Sequence, residues 1–164
     1  MRMVFIALLC LWPVAASAED LTITGARIVD IGVYQIRKGE VTGNSATPTG
    51  EISAVDEAML LEPGTGITAR IGLEFGFRYV VEGLPEGAPV ELDFVQTYPA
   101  PGLQSPDGGA PQRSVRFRRT KTIGKTEYLG YGFEQDWEMV PGKWTFEVWQ
   151  GESKLLFQTF EVGR

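Results

Sequence analysis

Alternation of apolar and polar residues dominates this chain after residue 21. The clearest case runs from Ile67 to Val81, where all eight odd-numbered residues are apolar. Successive side chains of a strand point to opposite faces, so this spacing places all eight on one face of a sheet. Gly72 and Gly76 fall on the other face, where glycine is typical of a bulge or a close backbone approach. The pattern predicts one long strand.

Shorter segments with the same period follow, separated by turns that contain proline or glycine. They are 27–37, 90–95, 114–118, 129–137, 144–149 and 154–162. Roughly seven or eight short strands at near-regular spacing are typical of an antiparallel sandwich or barrel. We therefore expect an all-β, antiparallel, immunoglobulin-like β-sandwich. We also expect the segments on either side of Gly124 to pair as a hairpin, whereas 52–61 fits either a short helix or a strand.

Two segments lack regular apolar spacing. Residues 42–50 (TGNSATPTG) are polar and contain proline and glycine, which predicts a mobile loop. Residues 98–111 hold four prolines and three glycines. Because each proline fixes φ and lacks an N–H donor, this segment cannot be a central strand. We interpret it as an ordered surface loop.

The first 18 residues have the pattern of a cleavable Sec-type signal peptide. A short start carrying Arg2 precedes an apolar run, and Ala16-Ser17-Ala18 provides the small residues of a cleavage site. The run of about 13 residues is too short to span a bilayer, so we expect no membrane insertion after cleavage. Cys10 lies in the middle of the run, which argues against a lipid anchor. The pattern predicts a periplasmic or secreted protein, with residues 19–164 as its single domain.

The composition of residues 19–164 excludes several kinds of chemistry. This part of the chain contains no histidine and no cysteine. A Ser-His-Asp triad and a zinc site of imidazoles or thiolates are therefore impossible. Removal of the leader changes the net charge from −6 to −7, which disfavours nucleic acid as a partner. We expect no cofactor and no metal.

Three segments resemble a bacterial family of unknown function. They are the run from Gly66 to Gly83 with Phe75-Gly76-Phe77 at its centre, the Tyr98–Gly102 loop and the Pro141-Gly142-Lys143-Trp144 turn. The resemblance covers roughly residues 21–163. Members of this family are small, mostly proteobacterial and often exported. The resemblance implies a single β-domain, and it transfers no activity and no site residue.

A group of carboxylates provides one candidate for chemistry. Glu134, Asp136 and Glu138 are spaced by two, so a strand would place them on one face. Two carboxyl groups about 5–9 Å apart can hydrolyse a glycoside, and Glu134 with Asp136 would form such a pair. The alternative, which we favour, is a cross-strand charge ladder in which Arg116 lies diagonal to Glu134.

Basic and aromatic residues provide the candidates for partner binding. A basic run interrupts the acidic chain; its members are Arg113, Arg116, Arg118, Arg119, Lys121 and Lys125. Arg116 and Arg118 are expected on an outward face, where they could meet an anionic partner. Trp149 and Tyr98 could stack on a sugar or anchor a protein. The simpler alternatives are solvated turn residues and a tryptophan covered by a neighbouring strand or loop.

These observations favour a non-catalytic exported module that binds a periplasmic protein or an anionic glycan. The alternative function is a carboxylate-based glycoside hydrolase that uses the Glu134/Asp136 face.

Overall fold

The computed structural model describes residues 20–164, and the predicted signal peptide lies outside them. The strands in this range are β1 (Thr22–Gly43), β2 (Glu51–Pro63), β3 (Gly66–Thr68), β4 (Glu74–Leu84), β5 (Pro89–Thr97), β6 (Ser114–Thr122), β7 (Thr126–Gly132), β8 (Gly142–Gln150) and β9 (Ser153–Gly163). They form a four-stranded sheet in the order β2-β1-β4-β7 and a five-stranded sheet in the order β3-β9-β8-β5-β6. All pairs are antiparallel except β3 with β9. The predicted all-β architecture is confirmed. Between residues 20 and 164, no helix is long and apolar enough to cross a membrane.

Aromatic side chains from both sheets form the core. Phe75 of β4 is fully buried, and its ring centroid lies 5.6 Å from those of Trp144 and Phe146 on β8 and 5.2 Å from that of Phe160 on β9. Buried aromatic rings contribute large apolar areas and favour such edge and offset contacts. The alternation that predicted this strand therefore reflects the packing of one sheet on the other.

The single strand predicted from Ile67 to Val81 is wrong in its extent. The chain leaves β3 and turns at residues 70–72, where Gly72 adopts a φ of +83° that favours glycine. It then enters β4 in the other sheet, and Ile71 in the turn is 52% exposed. Alternation of residues cannot predict this change of sheet, because both strands bury their odd-numbered residues.

The hairpin predicted through Gly124 is also wrong. β6 pairs with β5, while β7 pairs with β4 in the other sheet. The chain therefore crosses between the two sheets, and Gly124 has a φ of +81° at the crossing. A hairpin and a crossover of this kind bury the same alternate residues. The hydrophobic pattern could not separate them.

Both segments without regular apolar spacing contain turns or loop. Residues 44–50 form turns between β1 and β2, whereas Thr42 and Gly43 of the predicted loop 42–50 belong to β1. The ambiguous segment 52–61 is part of strand β2. Residues 98–111 contain no strand, although Leu103 is buried and forms an isolated bridge with Gln112. The backbone amide and carbonyl of Leu103 both bond to Gln112, which ties this surface loop together.

The second half of β1 leaves the sheet. Beyond Tyr34, β1 pairs with β2 alone, and these residues (35–43 and 51–59) form a two-stranded segment that we call the ribbon. Irregular register around Lys38 bends it. The ribbon tip and residues 118–120 of β6 line a common depression. The ribbon thus lies across the open side of the sandwich, between edge strands β6 and β7.

Candidate functional site

The outer face of the five-stranded sheet brings together three of the four predicted partner-binding residues. In the strand register, Asp93 on β5 lies opposite both Arg118 on β6 and Trp149 on β8. Val95 lies opposite Arg116 on one side and Glu147 on the other. We call this surface the Trp149 face. Its members are Asp93, Val95, Arg116, Arg118, Glu147, Trp149, Lys154 and Phe157.

Asp93 organises the two arginines. Its Oδ1 accepts a hydrogen bond from Arg118 Nε at 2.8 Å, and its Oδ2 accepts bonds from Arg118 Nη2 and Arg116 Nη2, both at 3.0 Å. These bonds to Arg118 and Arg116 lower the pKa of Asp93 to about 2. Sequence reasoning missed Asp93. The sequence does show a carboxylate on the strand before the arginines. Its pairing with them could be predicted only by knowing that β5 lies beside β6.

Trp149 is partly buried and held by charged neighbours. Its indole N–H donates to Glu147 Oε2 at 2.7 Å, and the same carboxylate accepts a bond from Lys154 Nζ at 2.8 Å. The Lys154 ammonium lies 4.9 Å from the ring centroid, and the Arg116 guanidinium lies 6.0 Å from it. Cations at such distances are attracted by the negative face of the ring. Phe157, which is 54% exposed, continues the aromatic surface.

The charges of the Trp149 face are unequally exposed. The side chains of Arg116 and Arg118 are 54% and 61% exposed, whereas those of Asp93 and Glu147 are only 10% and 16% exposed. Water and any partner therefore meet the cations first. This part of an acidic protein presents a positive surface with aromatic rings beside it.

Tyr98 does not belong to this surface, and its prediction as an accessible residue is wrong. The side chain is 1% exposed, its hydroxyl donates to Gln96 at 3.2 Å, and its ring packs 4.9 Å from Trp144. Tyr98 directly follows β5, and its side chain lies in the core instead of on the loop. Proline content of the following residues suggested a surface position, but the loop begins one residue later.

The three carboxylates predicted on one strand face are separated. Residues 136–138 form a short 3-10 turn instead of a strand. Glu138 is fully buried, where it accepts bonds from the backbone N–H groups of Glu134 and Gln135 and from the Tyr131 hydroxyl. Asp136 is exposed. Glu134 pairs with Lys38 of the ribbon, not with Arg116 as the predicted ladder required.

The remaining cations of the basic run are dispersed. Arg113 Nε donates to the backbone carbonyl of Tyr98 at 3.3 Å, and Lys121 pairs with Glu127 at 2.9 Å. Arg119 and Lys121 lie on the inward face of β6, because they alternate with outward Arg116 and Arg118. The basic run is therefore two groups of side chains on opposite faces. Within residues 20–164, no group of three or more acidic, histidine or cysteine side chains could hold a metal ion.

Comparisons with known proteins agree with this architecture. A crystal structure described as an immunoglobulin-like protein from Pseudomonas aeruginosa matches with a TM-score of 0.57 and 26% sequence identity, over 90% of this chain and 99% of that chain. The chain is thus an immunoglobulin-like β-sandwich. Residues 24–162 match the family described as domain of unknown function DUF3859, and the chain belongs to that family. The predicted resemblance is confirmed. No curated protein matches the chain.

Proposed function

We propose that this domain is an exported, non-catalytic binding module that docks an acidic protein surface on the Trp149 face. The observation that carries the proposal is the unequal exposure of charge around Trp149. Arg116 and Lys154 lie over the ring, and Arg118 shares Asp93 with Arg116. The carboxylates that pair with these three cations are less exposed than the cations. Guanidinium groups form strong, directional bonds with carboxylates, so an acidic partner could share them.

The composition of the surface favours a protein over a glycan. Tryptophan, arginine and phenylalanine are enriched at protein interfaces, and tryptophan and arginine dominate their binding energy. A flat sheet face also suits a protein surface. A sugar would need to stack on the Trp149 ring, but Lys154 and Arg116 already lie over that ring.

The proposed location is the periplasm or the extracellular medium. The pattern of residues 1–18 supports export, and the absence of cysteine after residue 18 means that folding there requires no disulfide. The buried aromatic core supports this location as well. A domain of this size can be stable through its core alone, so it can fold outside the cytoplasm without a disulfide.

Site-specific photo-crosslinking in the native host tests this proposal. A photoreactive residue replaces Val95, which lies at the centre of the Trp149 face, and in a control protein it replaces Thr24, which is exposed on the other sheet. We expect one protein with an acidic surface to be captured reproducibly from position 95 and not from position 24. Capture of polysaccharide, or the same products from both positions, would overturn the proposal.

A neutral variant sharpens the test. The triple substitution Asp93→Asn, Arg116→Gln and Arg118→Gln removes the whole ion-paired group and leaves no buried carboxylate without a partner. Its matched control, Arg37→Gln with Glu57→Gln, removes an exposed ion pair on the ribbon. Crosslinking from position 95 should be lost in the triple variant and retained in the control.

A further inference from the structure

A cavity of about 450 Å³ lies beneath the ribbon. Residues 47–55 of the ribbon and its turn form one wall, and strands β5, β6 and β7 form the others. Its lining combines apolar side chains, among them Phe117, Leu129 and Ile52, with at least as many polar ones. Sites for small molecules have this size, and their polar groups fix the orientation of the ligand.

Most charged side chains that line the cavity already have partners. Lys38 pairs with Glu134, and Lys121 pairs with Glu127. The carboxylate of Glu138 is satisfied by the contacts described above. Glu74 and Arg119 differ, because neither makes an ion pair or a side-chain hydrogen bond with any residue from 20 to 164. Glu51 and Lys125 also line the cavity without a partner among residues 20–164, but both are exposed. Glu74 and Arg119 are therefore the two partly buried charges in this lining without a partner, and they have opposite signs.

The Glu74 end of the cavity contains a second polar group without a partner. The hydroxyl of Tyr128 is buried and has no hydrogen-bond partner within the described chain. The carboxylate of Glu74 lies over Gly132, where a Cβ atom would meet its Oε2 at 2.2 Å. Burial raises the pKa of Glu74 to about 7, and Glu134 and Glu138 add to this rise against the opposing charge of Lys38. Buried polar groups in folded proteins nearly always have partners, so the buried Tyr128 hydroxyl near the partly buried Glu74 carboxylate indicates an unfilled site.

The strand register separates the two charges along the cavity. Glu74 lies opposite Gly132, the last residue of β7, and Gln96 bridges the sheets by donating to the Gly130 carbonyl at 3.0 Å. Arg119 lies four residues along β6 from Val115, which pairs with Gln96. Glu74 alternates with buried Phe75 and so lies on the outer face of its sheet, whereas Arg119 lies on the inward face of β6, and the cavity reaches around edge strand β7 from one to the other. On the ribbon, Lys38 lies at the Glu74 end and Thr42 at the Arg119 end, four residues or about 13 Å apart. The exposed ammonium of Lys125 lines the cavity near the Arg119 end.

We propose that this cavity binds a small zwitterion with an apolar middle, of the size and form of a tripeptide with free ends. Its ammonium group donates to the Glu74 carboxylate and to the Tyr128 hydroxyl oxygen. Its carboxylate accepts hydrogen bonds from the Arg119 guanidinium, in the paired geometry that guanidinium favours. Its central side chain packs against Phe117 and Leu129 beneath the ribbon.

A titration with the tripeptide Ala-Phe-Ala, followed by amide NMR of residues 19–164, tests the proposal. We expect saturable shifts at Glu74, Tyr128 and Arg119, and no shift of the Trp149 indole N–H. Acetylation of the peptide amino group should weaken binding by about tenfold or more, and amidation of its carboxylate should do the same. Shifts confined to the Trp149 face, or no saturable shift at millimolar peptide, would overturn the proposal and leave the proposed function untouched.

Charge-neutral variants assign each end of the peptide. In Glu74→Gln, acetylation of the peptide should no longer matter, whereas amidation should still weaken binding. In Arg119→Gln, amidation of the peptide should no longer matter, whereas acetylation should still weaken binding. Glu62→Gln and Arg70→Gln alter exposed side chains outside the cavity and serve as controls. Equal sensitivity to both peptide modifications in every variant would show that the two charges do not recognise the ligand ends.

Discussion

Lys121 Nζ lies 2.9 Å from Glu127 Oε2, and this ion pair joins the two sheets across the crossover at Gly124. Both side chains are mostly buried, with exposed fractions of 18% and 13%. The pair lies on the inward faces of edge strands β6 and β7 and lines the cavity beneath the ribbon. The ion pair connects the two sheets at their edges, and the aromatic contacts connect them at the centre of the core.

Removal of one partner from this pair should cost more stability than removal of both. Lys121→Met or Glu127→Gln leaves a buried charge without compensation, and each should lower the free energy of unfolding by about 1–3 kcal/mol. The double variant should be less destabilised than either single variant, because it leaves no buried charge without a partner. Urea denaturation of all four proteins measures this coupling. Strict additivity would show that the contact does not contribute to stability.

Stability should decrease between about pH 4.5 and pH 7 because of Glu74. Its pKa is raised from an ordinary value of 4.5 to about 7 in the folded protein, so the folded state retains a proton that the unfolded state releases. The penalty is absent below pH 4.5, grows through this range and is complete above pH 7, where it reaches on the order of 3 kcal/mol. The chain has no histidine, which leaves this interval free of the usual titrating side chain.

Glu74→Gln provides the measurement for that prediction. The variant should be more stable than the parent at pH 8 and equal to it near pH 4, because the amide carries no proton equilibrium. Thermal unfolding followed by circular dichroism across this range gives both curves. Glu62→Gln, which changes an exposed carboxylate, should follow the parent. A parent curve that is flat from pH 5 to pH 8 would contradict the raised pKa.

Asp93 should give the opposite dependence at lower pH. Its pKa is depressed to about 2 by Arg118 and Arg116, so its contribution is present above its ordinary pKa of 3.8 and is lost as the pH falls toward 2. Both arginines are more than half exposed, and solvent screening limits the contribution to about 1 kcal/mol. Asp93→Asn should lower stability at pH 7 and flatten the curve between pH 4 and pH 2. A variant that loses stability equally at every pH would contradict this origin.

Gly130 should not tolerate a side chain. A Cβ atom there would meet the Tyr128 hydroxyl at 1.9 Å and the Phe75 carbonyl oxygen at 2.4 Å. Gly130→Ala must displace backbone or ring, and we expect a loss of about 2 kcal/mol or more. Gly25→Ala is the matched control, since nothing lies within 4 Å of its Cβ position. Equal stability of the two variants in urea would show that β4 and β7 can separate freely.

Alternation of residues predicted the class of fold and the core of each strand, because burial on one face has the same period in any sandwich. Phe75 and Phe77 were placed correctly for this reason. Changes of sheet were not predictable in the same way. The turns at Gly72 and Gly124 keep the alternation in phase while they transfer the chain from one sheet to the other.

The candidate site was predictable in part. Alternation put Arg116 and Arg118 outward, and the structure places them beside Trp149. Asp93 could not be assigned to them, since its role depends on which strand pairs with β6. The cavity beneath the ribbon was beyond prediction, because it depends on the bend near Lys38 that carries the ribbon over the open side of the sandwich.

We propose that the Trp149 face docks an acidic protein through its exposed cations. The most direct measurement is the dissociation constant of the partner captured from position 95, for the parent, the neutral triple variant (Asp93→Asn, Arg116→Gln, Arg118→Gln) and the ribbon control (Arg37→Gln, Glu57→Gln). We predict weakening of about tenfold or more in the triple variant alone, with reduced dependence on salt. Unchanged affinity in the triple variant, or equal weakening in both variants, would contradict the claim.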